Sequence, residues 1–171
     1  MHPGSNTKNY VADKDARQYR RSIYVYWKRT SPHPMMTLFD APSRESSCVR
    51  RSRTSTPTQS LALFNEPQRV EMGRHFGERL MKEAEGDNSF ARIRLLFELV
   101  ASRPPDKVEE ALCMALFTKL KHRYKTNEED AKKLLSVGDS PRDEKLNVVD
   151  HAAWTQVILT VLASDVALWV Y

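Results

Sequence analysis

Glycine is scarce in this sequence, with five in 171 residues, and no two of them cluster into the loop that cradles a phosphate. That absence excludes a P-loop and a dinucleotide fingerprint. Cysteine is scarcer still: Cys48 and Cys113 lie far apart in the chain and indicate no disulfide framework. The five histidines, at 2, 33, 75, 122 and 151, are scattered over arm, loop and helix positions without ligand spacing, so no metal site is expected. There is no HExxH, no haem-attachment CxxCH and no Gly-x-Ser-x-Gly. No catalytic residue is assigned, no cofactor is expected in this chain, and whether it belongs to an enzyme is left open. The first nine residues, MHPGSNTKN, lack the apolar run of a signal peptide and the pattern of a transit peptide. The one long apolar run, AAWTQVILTVLASDVALWVY at 152–171, carries Gln156 and Asp165. Its apolar residues recur every three to four positions, which argues for the buried face of a globular helix rather than a membrane span.

Charge is plentiful, at 29% of residues, and it is unevenly placed. Residues 1–60 hold eleven Lys or Arg against four Asp or Glu, whereas residues 61–171 hold sixteen against eighteen. The basic character is therefore local. It suits a polyanionic partner or an acidic surface within the same assembly.

Abundant Leu, Ala, Glu, Lys and Arg tilt the chain toward helix. The fold class is read as mainly α, about six helices packed as an irregular bundle, preceded by an extended Arg/Pro-rich segment with at most one short strand. Residues 1–18 are expected to form a flexible arm and 19–171 a single domain, with 19–56 an ordered basic loop segment and 57–171 a helical body. RSIYVYW, at 21–27, is the only good strand candidate by composition, with a short aromatic helix as its alternative. A short helix near Met35 to Phe39 is the most that the proline-rich stretch allows. Thr56, Pro57 and Gln59 together make a helix start, with Gln59 placed to complete a capping box, and Pro67 suits the first turn of the next helix, running to about Ala84. Further helices are expected over about 89–102, stopped by Pro104 and Pro105, from the Asp106–Glu109 cap pair to about Lys125, from an Asn127 cap to about Val137 with Gly138 beyond, and from an Asp150 cap onward.

Arg44, Arg50, Arg51 and Arg53 precede the helix start at 57, with Arg20 and Arg21 further upstream. Two readings of these arginines compete. In one, guanidinium groups and free helix N–H groups bind phosphate, sulfate or carboxylate. In the other, which we favour, they clamp the loop by pairing with Asp40, Glu45 or backbone carbonyls, and at least one guanidinium is largely buried. A nucleic-acid surface is a third reading, kept open by Tyr24, Tyr26 and Trp27 among Arg20, Arg21, Lys28 and Arg29. Cys48 is read as a half-buried loop residue rather than a thiol activated by its arginine neighbours.

The stretch YRRSIYVYWKRTSPHPMMTLFDAPSRESSCVRRSRTSTPTQSLALFNEP, 19–67, resembles the planctomycete-type domain of unknown function 1553. The family pattern falls on Tyr19 to Ser22, Trp27 to Thr30, Phe39 to Pro42, Arg44, Glu45, Cys48, Arg50, Arg51, Arg53, Thr54, Thr56, Pro57, Gln59, Leu63, Asn65 and Pro67. RIRLLFELVASRPP, and VGDSP followed by HAAWTQVILTVLAS, extend the similarity. The resemblance implies a C-terminal domain of large exported bacterial proteins, periplasmic or at the cell envelope, some of which carry c-type haem in another domain. It implies the parent's N-terminal domains as partners, with acidic or sulfated polysaccharide as a ligand class. On that footing the chain is expected to be a C-terminal fragment, acting as a structural or binding module. The alternative is part of a polysaccharide-acting enzyme whose active site needs residues not in this chain. The family usually closes on Asn-Leu-Asp-Glu, where this sequence has Ala163, Ser164, Asp165 and Val166.

Overall fold

A computed structural model describes residues 17, 19–25, 32–43, 47–86 and 88–168. Among the described residues the chain is built from eight α-helices and contains no strand. They are α1 (Pro34–Leu38), α2 (Pro57–Asn65), α3 (Pro67–Glu83), α4 (Ser89–Ala101), α5 (Lys107–Thr126), α6 (Glu128–Leu135), α7 (Val148–Leu162) and α8 (Asp165–Leu168). The chain divides into two compact units, Met1–Ala62 and Leu63–Tyr171.

In the first unit the described part of 21–27 takes the helical alternative to the strand, a 3-10 turn at Ser22–Tyr24. Its Ile23 and Tyr24 are largely exposed, so the β-branched and aromatic side chains that favour a strand have no sheet to pack on. Residues 26 and 27 lie outside the described ones. The helix near Met35 forms as α1, capped at its start by His33, whose Nδ1 accepts from the Met35 N–H at 3.2 Å. α2 begins in a capping box: the Gln59 N–H donates to Thr56 Oγ1 at 3.3 Å, and the Thr56 N–H donates back to Gln59 Oε1 at 3.0 Å.

The second unit is organised around α7, which packs against α3, α5 and α6. Because neighbours cover most of its sides, α7 is buried well beyond a single stripe: Ala152, Ala153, Trp154, Val157 and Ile158 are all fully enclosed. Burying each of the large apolar side chains among them stabilises the fold by roughly 1.5–3 kcal/mol. Trp154 stacks on Phe117 of α5 with ring centroids 4.4 Å apart, and the Arg92 guanidinium of α4 lies 5.9 Å from its centroid. α3 approaches closely because Gly73 and Gly77 face α7. A Cβ at position 73 would sit 3.0 Å from the Leu159 side chain, and one at position 77 would sit 3.3 Å from the His151 ring.

Local punctuation sets most helix ends. Glu66 caps α3 by accepting from the Arg69 N–H, with Pro67 next to it, and Asn88 caps α4. The Asp106–Glu109 pair forms a full capping box at α5, which Arg103 reinforces with two bonds to the Glu109 carboxylate. Two expected caps are corrected. Asn127 sits at the joint of α5 and α6 without a side-chain cap bond. Asn147, not Asp150, caps α7: its Oδ1 accepts from the Asp150 N–H at 3.0 Å, placing Asp150 inside the first turn. Asp150 instead pairs with Lys121 of α5 at 2.7 Å, a tertiary partner that sequence spacing does not reveal. α7 ends at Leu162, and no helix among the described residues is long and apolar enough to cross a membrane.

Candidate functional site

The basic segment of the first unit folds around Asp40. Asp40 follows α1 with φ 58°, the left-handed region that Asp adopts more readily than most side chains. That turn presents successive carbonyls to one side, and Arg51 takes both: Nε donates to the Asp40 carbonyl at 3.0 Å and Nη2 donates to the Phe39 carbonyl. The Asp40 carboxylate goes elsewhere. Its Oδ2 accepts from the Thr54 N–H at 2.9 Å and from the Thr54 hydroxyl at 2.7 Å. Gln59, 6% exposed, ties the segment to the helix start by donating Nε2 to the Leu38 carbonyl at 2.9 Å and to Thr54 Oγ1 at 3.0 Å.

These bonds set the electrostatics. The Thr54 hydroxyl and then its N–H hold the Asp40 carboxyl below its ordinary value, against partial desolvation and with help from the Arg51 charge and the Gln59 amide. Asp40 is therefore an ionised acceptor, unsuited to giving up a proton as an acid catalyst. Beside it opens a cleft of about 1070 Å³ whose walls include Phe39, Asp40, Val49, Arg50 and Arg53. Arg50, Arg51 and Arg53 are all exposed, so the guanidinium that grips the loop does so at the surface rather than buried. The reason is geometric: its acceptors are carbonyls of a surface turn. Arg50 and Arg53 make no hydrogen bond or ion pair with the described residues.

Arg20 and Arg21 are exposed and precede the 3-10 turn, with Arg21 in its N-cap position. Arg44 and Glu45 lie outside the described residues. Thr56 and Gln59 form the capping box given above. Cys48 is exposed rather than half-buried, and Cys113 is buried on α5, where desolvation pushes its thiol up. Among the described residues no group of three or more His, Cys, Asp or Glu is placed to hold a metal ion.

Sequence reading missed a buried polar seam in the second unit. Glu71 and Arg74 of α3, each 2% exposed, grip the loop after α6. Glu71 accepts from the Ser140 N–H at 2.7 Å and the Asp139 N–H at 3.3 Å, while Arg74 donates to the carbonyls of Ser140 at 2.6 Å and Leu135 at 3.2 Å. One turn on, Glu78 accepts from the Asp143 N–H at 3.0 Å and pairs with His75 at 3.2 Å. The fully buried His151 of α7 donates Nε2–H to the Arg74 carbonyl at 3.0 Å. Burial pushes the His151 ring below its usual value; against their own desolvation, Glu71 is pulled down first by the Ser140 hydroxyl and then by the Ser140 and Asp139 N–H groups, and Glu78 by the Asp143 N–H and then His75. The signal was present as Glu71, Arg74, His75 and Glu78 at three- and four-residue spacing, but nothing local distinguishes such a stripe from a solvated helix face.

The family model described as "Protein of unknown function (DUF1553)" matches residues 1–117. The chain belongs to the DUF1553 family. The matched span of this DUF1553 chain takes in the whole Asp40 cleft and the glutamates and arginine of α3. No curated protein and no solved structure matches the chain.

Proposed function

We propose that this DUF1553 chain is a binding module whose first unit takes the anionic groups of an acidic polysaccharide, within a larger protein of the cell envelope. The observation that carries the reading is the division of labour among three neighbouring arginines. Arg51 is occupied by the Phe39 and Asp40 carbonyls, while Arg50 and Arg53 line the same cleft with no partner among the described residues. A guanidinium that no described residue engages keeps its planar fork for a carboxylate or sulfate. Arg51 and Thr54 supply the rigidity that holds the cleft in shape before a ligand arrives. The resemblance to domains of large exported proteins supports an envelope setting and the parent's other domains as neighbours.

The test is calorimetric titration of the chain with polygalacturonate, dextran sulfate and neutral dextran. The two acidic polymers should bind and neutral dextran should not, with affinity falling as salt rises. An Arg50→Ala/Arg53→Ala protein should melt like the parent and lose binding. Acidic-polymer binding that survives the double substitution would remove the cleft from the reading.

A further inference from the structure

Among the described residues that line the arginine cleft Asp40 is the only acid, and its carboxylate has acceptor capacity left. Oδ2 accepts both Thr54 bonds and the Gln59 amide also favours the charged carboxylate, yet a carboxylate has room for further donors, chiefly at Oδ1. Among the described residues, a carboxylate with acceptor capacity left and two guanidinium groups without a partner thus share one cleft. An exposed ion pair is worth little, so a restraint on either partner is enough to keep the two apart. Here the restraint is visible: Arg51 fixes the backbone of Asp40 through its carbonyl, and Thr54 fixes the carboxylate through two bonds. Such a cleft offers a ligand two cationic forks and one strong acceptor at once. A bare polyanion satisfies the forks and meets repulsion at Asp40. A ligand whose acidic group lies beside a hydroxyl satisfies both, since O–H donates to a carboxylate oxygen in a charge-assisted bond.

We propose that Asp40 is a specificity-determining residue, accepting a hydrogen bond from a ligand hydroxyl while Arg50 and Arg53 hold the adjacent carboxylate or sulfate. The cleft then selects hydroxyl-bearing polyanions, such as uronic-acid chains, over polyanions without donors. The inference rests on the cleft being an anion site, as proposed above.

The experiment compares polygalacturonate with the same polymer O-methylated at its free hydroxyls, which keeps the carboxylates and their spacing but removes the donors. Titrated into the full chain at equal ionic strength, the native polymer should bind about tenfold more tightly, the scale of one charge-assisted bond at a partly solvated site. In an Asp40→Asn protein the amide oxygen can stay on Thr54 while the NH2 turns to the cleft, so the preference should vanish and the methylated polymer should bind as well as before or better. If that variant does not fold, Asp40→Gly serves, because glycine accepts φ 58° without strain and carries no carboxylate. Equal binding of the two polymers by the parent protein, or a preference that survives loss of the carboxylate, would overturn the role of Asp40 and leave the anion site standing. Failure of both polymers to bind would overturn the anion site and this inference together.

Discussion

Glu71 lies so close over Gly138 that a Cβ at position 138 would fall 2.6 Å from its carboxyl carbon. Gly138 also has φ 104°, a backbone region that L side chains rarely enter. The glycine is what lets the loop after α6 offer its N–H groups to a buried carboxylate. Gly138→Ala is expected to destabilise the second unit by roughly 3 kcal/mol, combining backbone strain with displacement of Glu71. Urea unfolding followed by tryptophan fluorescence measures it, since Trp154 is enclosed in that unit's core.

Arg74 is the positive member of the same seam, and its removal orphans several groups at once. Arg74→Met should cost about 3–5 kcal/mol, because the buried Glu71 loses its counter-charge and the Leu135 and Ser140 carbonyls lose their donors. The double substitution Arg74→Met with Glu71→Leu should recover part of that loss, and a double-mutant cycle reads the difference.

His151 gives the fold a pH dependence. Its folded-state pKa is depressed from the usual 6.5, chiefly by burial, against the pull of the Arg74 carbonyl and the Glu78 charge and with a further push from Arg142 and Arg74. The unfolded chain therefore takes up a proton that the folded one refuses. The stability held above about pH 6.5 is lost as pH falls from there through the folded pKa. Melting temperature should decline over that window in the parent and decline less in His151→Gln. Below pH 4.5 the glutamates contribute in the same direction, since the pKa values of Glu71 and Glu78 are also depressed on folding.

The arginines of the first unit should separate by behaviour. Arg51→Ala removes both carbonyl bonds at the Asp40 turn, so amide hydrogen exchange at Thr54 should accelerate, while global melting changes little because the side chain is exposed. Arg53→Ala should leave Thr54 exchange as in the parent. Equal exchange in the two variants would mean that Arg51 does not organise the turn.

The helical class, the Thr56–Gln59 and Asp106–Glu109 capping boxes, the breaks at Pro67 and Pro104–Pro105 and the local basic charge were legible in the sequence. Each depends on groups within about one turn of each other, so spacing alone brings them together. α7 was legible as a buried helix, but not its start: Asn147 and Asp150 are both good caps by type, and in the fold Asn147 caps the helix while Asp150 pairs with Lys121 on another helix. Of the two readings of 21–27, the described residues take the helical one, because β propensity forms nothing without a neighbouring strand to complete its hydrogen bonds.

Local sequence was enough for the helices, for the capping boxes of α2 and α5, and for the collection of arginines ahead of α2. Tertiary structure alone decided which arginine is spent and which are free. Arg51 meets carbonyls eleven and twelve residues back only because Asp40 turns the chain through a left-handed conformation. It also decided that Glu71 is buried rather than solvated, by bringing to it the Ser140 N–H from 69 residues away. A charged side chain reads the same in sequence whether water or a backbone N–H satisfies it. Only the packing that removes the water distinguishes the two.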